Sequence, residues 1–125
     1  MIIRIEPESD IPIYIQLTNQ IIEGIAKGEL KPGDTLPSVR ALAADLGVNM
    51  HTVNKSYHEL EKKGIIEIVP KSGAVIRKHR QIDSSTYERL YKSFIPHIAE
   101  ALVLGMSKEE MMELAEKIIN DLKED

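Results

Sequence analysis

Cysteine and tryptophan are absent from this chain of 125 residues, and phenylalanine occurs once. Without cysteine there is neither a disulfide nor a thiolate zinc site. The core therefore has to be aliphatic, which suits an apolar share of 42%. No apolar run approaches the roughly 18 residues that cross a bilayer, and the N-terminus lacks the basic-then-apolar form of a signal peptide. A cytoplasmic protein without membrane contact is the expectation. A basic balance is also missing, since the formal net charge is -4. The charge is unevenly distributed, however. Residues 81–125 carry five bases against ten acids, whereas residues 47–80 carry seven bases against three acids. A basic segment followed by an acidic one suits a nucleic-acid-binding head with a separate tail, divided near residue 80.

What is present centres on Leu36 to Gly64, which reads as two short helices separated by a tight turn. The first runs from about Ser38 to Leu46, with Val39, Leu42, Ala43 and Leu46 on one face. Gly47 ends it, Val48 fills the space between the helices, and Asn49 stands where an N-cap of the second is needed. The second runs to about Lys63. Its inner face is Val53, Tyr57 and Leu60, and its outer face carries His51, Lys55, His58 and Lys62. An apolar inner face under a basic outer face is what a recognition helix requires.

The run from Pro12 to Ile76 resembles the winged helix-turn-helix of the GntR family of bacterial transcriptional regulators. The resemblance rests on PIYIQL at Pro12 to Leu17, GELKPGDTLPSVRALAADLGVN from Gly28 to Asn49, and TVNKSYHELEKKG from Thr52 to Gly64. The short tail is similar to that of the YtrA-type subfamily, which carries two helices there. The implied fold is mostly α with a small β-hairpin: a winged helix-turn-helix in residues 1–80, then a two-helix dimerisation tail in residues 81–125. The implied function is sequence-specific transcriptional regulation, by a homodimeric repressor acting on its own operon or a transporter operon. The alternative is a winged helix used for protein contacts. No enzyme is expected, because nucleophile, base and orienting acid are not recognisable.

The resemblance also implies site residues. Arg40 contacts DNA phosphate, and the first turns of the recognition helix, with Asn49, Met50, His51, Thr52, Asn54 and Lys55, read bases. Many relatives have arginine where this chain has Met50 and Asn54, so reading should depend more on His51, Asn54 and Lys55. Met50 either touches a thymine methyl or packs. After Gly64, the stretch Ile66 to Val69 and its partner Ala74 to Ile76 form the wing, with Lys71, Ser72 and Gly73 as the turn. Lys71 is expected to neutralise phosphate, and Gly73 to lie close to the minor groove.

Elsewhere, Met1 to Ile5 fits either a short strand or an extended arm, and Asp10 with Pro12 marks the start of a helix bearing Tyr14, Leu17, Ile21 and Ile25. In the tail, Ser84 or Ser85 caps a helix with Tyr87, Leu90, Tyr91, Phe94, Ile98, Leu102 and Val103 on one side, kinked or broken near Pro96. Ser107 and Glu110 form a capping box for a last helix bearing Met111, Leu114, Ala115, Ile118 and Leu122. Two such helices cannot bury both stripes alone, so a second copy is expected to cover them and to supply the second reading head for a two-fold symmetric operator on double-stranded DNA. No cofactor and no metal are expected, since the four histidines are spread over three segments. Any small-molecule effector, of unknown identity, is expected between the tail helices or near residue 80.

Overall fold

Two side-chain oxygens set where the central helices begin. Ser38 Oγ accepts from the Ala41 N–H at 3.1 Å and opens α2, Val39–Leu46. Asn49 Oδ1 accepts from the His51 N–H at 2.7 Å and opens α3, Met50–Lys62. Between them Gly47 takes φ 68°, a left-handed conformation that turns the chain in a single residue. The computed structural model describes residues 2–123; Met1, at the head of the expected strand or arm, lies outside them. The chain divides into two compact units, Met1–Lys78 and His79–Asp125.

In the first unit, α1, Ile13–Ala26, packs on α3. Leu17 and Ile21 of α1 and Val53, Tyr57 and Leu60 of α3 are all fully buried. Each such aliphatic side chain contributes about 1.5–3 kcal/mol on transfer from water. Where α1 meets α3 the contact includes one polar pair, Thr18 Oγ1 and Ser56 Oγ at 2.8 Å. Thr18 gives its own proton to the Tyr14 carbonyl at 2.7 Å, so Ser56 is the donor to Thr18.

The sheet has three antiparallel strands in the order β1, Thr35–Leu36; β3, Gly73–Ile76; β2, Ile66–Val69. Ile66 pairs with Ile76 and Val69 with Gly73, so the hairpin has the expected partners, although Gly73 belongs to the strand and not to the turn. The turn is Val69 to Ser72, closed by the Ser72 N–H donating to the Val69 carbonyl at 3.0 Å. Strand β1 was not expected. Two residues are too few to show alternation, and Thr35 and Leu36 become a strand only by pairing with Val75 and Ala74.

The N-terminal residues form an arm without strand assignment. Side-chain amides of α1 take the place of a neighbouring strand. Gln20 accepts from the Arg4 N–H at 2.8 Å and donates to the Arg4 carbonyl at 2.7 Å. Gln16 does the same for Glu6, at 2.8 and 3.0 Å. The start of α1 differs from expectation. Pro12 occupies the N-cap position with no side-chain cap, and Asp10 plays no capping part. Proline needs no N–H partner there, so the first turn loses little.

The second unit consists of α4, Ser84–Val103, and α5, Lys108–Lys123. Asp83, not Ser84 or Ser85, caps α4, accepting from the Thr86 N–H at 2.7 Å. A carboxylate suits the positive end of the helix better than a hydroxyl. The helix runs through Pro96 without a break. Pro96 removes only the bond to the Lys92 carbonyl, and full turns on either side hold the rest. The capping box opens α5: the Glu110 N–H donates to Ser107 Oγ at 3.1 Å and the Ser107 N–H donates to Glu110 Oε1 at 2.9 Å. No residue described in α4 or α5 is buried.

Candidate nucleic-acid interface

The caps that open α2 and α3 also aim them. Both N-termini border one open groove, and the hairpin forms its other wall. Arg40, in the first turn of α2, Asn49, Met50, His51 and Asn54 from the start of α3, and Lys71 and Gly73 from the hairpin all line it. Arg40 and Lys71 are the charged residues among its lining, which includes no carboxylate. The helix N-termini add the partial positive charge of their free N–H groups. An anionic group in the groove therefore meets positive charge from both walls.

Two of the expected site residues do not line this groove. Thr52 is half-buried beside it. Lys55 is exposed, and its Nζ stands 4.2 Å from the centroid of the Tyr14 ring on α1. That cation–π contact directs the ammonium to the flank of α3 that faces α1.

Other groove residues carried no functional signal in the sequence. Val39, Ile68, Val69 and Pro70 line the groove as well, yet their apolar character marked them as core or strand. Met50 is 42% exposed and Val69 40%. A hairpin whose apolar side chains face an open groove can be found only once the hairpin is placed against α3.

Three contacts join α3, the wing and the Leu36–Pro37 segment to one another. Glu61 Oε2 accepts from the Ile68 N–H at 2.9 Å, so the outer edge of β2 is tied to the end of α3. The Tyr57 hydroxyl donates to the Pro37 carbonyl at 2.7 Å, and burial pushes its phenol up to about 12. Gly73 is buried at φ 112°, where any Cβ would collide with the Leu36 and Pro37 backbone. This close approach within the fold already accounts for glycine at that position. The expectation from the minor groove gave a different reason.

Among the described residues no group of three or more histidines, cysteines or acids could hold a metal ion. Among the described residues no helix is long and apolar enough to cross a membrane.

With this geometry in view, the comparisons with known proteins are consistent along the chain. The model for the GntR family, "Bacterial regulatory proteins, gntR family", matches residues 13–76. The HTH-type transcriptional repressor YtrA of Bacillus subtilis is 37% identical over 123 residues, which cover 97% of this chain and 95% of that protein. Among solved structures, YtrA from Sulfolobus acidocaldarius, a GntR-family transcription factor, aligns with a TM-score of 0.63 at 44% identity, covering 95% of this chain and 97% of that one. AraR(DBD) in complex with operator ORX1 aligns with a TM-score of 0.51 at 27% identity, covering 57% of this chain and 88% of that one. The similarity to both YtrA proteins extends through the two-helix tail, and this chain belongs to the GntR family of bacterial regulatory proteins, among its YtrA-type regulators.

Proposed function

We propose that this protein is a sequence-specific DNA-binding repressor that acts as a homodimer on a two-fold symmetric operator, in its own operon or a transporter operon. The observation that carries the reading is the groove. It combines two helix N-termini, Arg40 and Lys71 with no lining carboxylate. Arg40 and Lys71 neutralise phosphates, which fixes the register of α3 in the major groove. Asn49, Met50, His51 and Asn54 then face base edges. Thr52 supports that turn from beside it, and Lys55 reaches the phosphates on the α1 side. Gly73 seats the wing against the Leu36 and Pro37 backbone and so sets the position of Lys71 at the groove.

The B. subtilis relative is named a repressor and AraR(DBD) is bound to an operator, and both support this reading. The homodimer is supported by the tail. Tyr87, Tyr91, Phe94 and Leu102 on α4, and Leu114 and Ile118 on α5, are each at least 41% exposed. Leu90, Ile98, Met111, Ala115 and Leu122 continue the same stripes. Apolar stripes of this length are stable in water only when a partner covers them, and a second copy brings the second reading head.

The reading is tested by fluorescence anisotropy with DNA from upstream of the gene and with scrambled DNA, across salt concentrations. The expected result is tight, salt-sensitive binding that prefers the upstream fragment and is weakened tenfold or more by Arg40→Ala. Absence of binding to either fragment at low salt would favour a winged helix used for protein contacts.

A further inference from the structure

The recognition helix has an unusual reading face. No arginine occurs in α3, and Arg40 of the groove belongs to α2. The commonest contact to guanine, a bidentate guanidinium on O6 and N7, therefore has no donor on α3. Lys55 is its one cation near the N-terminus, and the ammonium lies over the Tyr14 ring outside the groove.

Facing the groove from α3 are His51 and a pair one turn apart, Met50 and Asn54. Asn54 is exposed, and among the described residues nothing hydrogen-bonds its side chain. Both the carbonyl oxygen and the amino group are free. Asn49 next to it differs, since its oxygen is committed to the His51 N–H. A free carboxamide matches the N6 donor and N7 acceptor of adenine. Met50 is large, apolar and 42% exposed, and it shares the groove with Val39, Ile68 and Val69. Within the major groove the 5-methyl of thymine is the apolar group a base edge offers. Against a guanine or cytosine edge the thioether would cover N7, O6 or N4 without replacing their hydrogen bonds to water. Four residues of helix advance about 6 Å, close to two base steps.

We propose that α3 reads an A·T element in each half-site, with Asn54 on adenine N6 and N7 and Met50 on a thymine methyl within about two base pairs of it. This inference rests on the DNA-binding reading and specifies its sequence preference. Met50 and Asn54 are the specificity-determining pair, and the phosphate contacts are independent of them.

The test begins with selection of duplexes from a random pool by the full-length protein. The selected duplex is then titrated with single thymines replaced by deoxyuridine, which removes only the methyl, and single adenines replaced by 7-deazaadenine, which removes only N7. One deoxyuridine position per half-site should weaken binding about three- to tenfold, the value of one buried methyl. One deazaadenine position within two base pairs should weaken it about 5- to 100-fold. Met50→Ala should bind the thymine and uracil duplexes equally, and Asn54→Ala should lose the deazaadenine effect. Unchanged helical circular dichroism and an unchanged salt dependence would assign these losses to reading and not to folding. Full affinity with every thymine replaced, or enrichment of guanine at the positions α3 reads, would overturn the proposal while leaving the DNA-binding reading intact. Enrichment of no sequence at all would overturn both.

Discussion

Lys71 holds its backbone at φ 67°, the one left-handed residue other than glycine among the described residues. It follows Pro70 in the turn closed by Ser72, the pattern of a type II turn whose third position favours glycine. An L side chain there costs about 1–2 kcal/mol. On the proposed reading, lysine is kept at this place for its charge at the groove. Lys71→Gly should accordingly raise stability by about 1 kcal/mol in a urea melt. The same variant should bind operator DNA more weakly, and the salt dependence of its binding should be shallower by a slope of about one. A variant that is stabilised yet binds unchanged would remove the phosphate role. At this scale the sequence was uneven as a guide. The cap made by Asn49 was legible because it acts on a residue two positions away. Lys55 over Tyr14 and Tyr57 on Pro37 were not, because each joins residues far apart in the chain.

Among the elements, the tail helices depend on titratable caps. The Asp83 carboxyl is held below its ordinary range by the Thr86 backbone N–H first, then by the Thr86 hydroxyl, with His79 nearby adding to the effect. Glu110 is lowered by the Ser107 backbone N–H and then by the Ser107 hydroxyl. A carboxyl lowered in the folded state stabilises it fully above its unfolded value, about 4, and the contribution disappears as pH falls through the lowered folded value. The N-termini of α4 and α5 should therefore fray on acidification below about pH 4. Circular dichroism at 222 nm reads this loss. The double variant Asp83→Asn with Glu110→Gln should show a smaller acid step, since neither amide titrates. The helices themselves were legible from i, i+3 and i, i+4 spacing, and so was the Ser107 to Glu110 box. The cap of α4 was misread by one or two residues, because Asp83, Ser84 and Ser85 are all competent and only the path of the chain selects one. Strand β1 left no local trace, since Thr35 and Leu36 are extended by their partner β3.

The whole molecule pairs a reading head that has a sealed core with a tail in which no described residue is buried. Phe94 is 58% exposed, whereas Leu17 and Ile21 are 0%. If a second copy covers the tail, sedimentation velocity should give a dimer for the intact chain. Phe94→Glu with Ile98→Glu should give a monomer with an unchanged head, and affinity for a two-site operator should drop 100-fold or more as the two heads lose their linkage. A dimer that survives both charges would place the interface elsewhere. The amino-acid sequence by itself determined the helix pair, its turn at Gly47, the hairpin and the separation of charge between head and tail. Each of these depends on residues within a turn or two of one another, or on composition alone. Only the tertiary structure decided which apolar residues leave the core to line the groove, why Gly73 admits no side chain, and which cation points away from the groove. Those outcomes depend on the close approach of α1, α3, the Leu36–Pro37 segment and the hairpin, set by packing between residues far apart in the chain, such as Tyr14 and Lys55, 41 positions apart, and no local pattern encodes that packing.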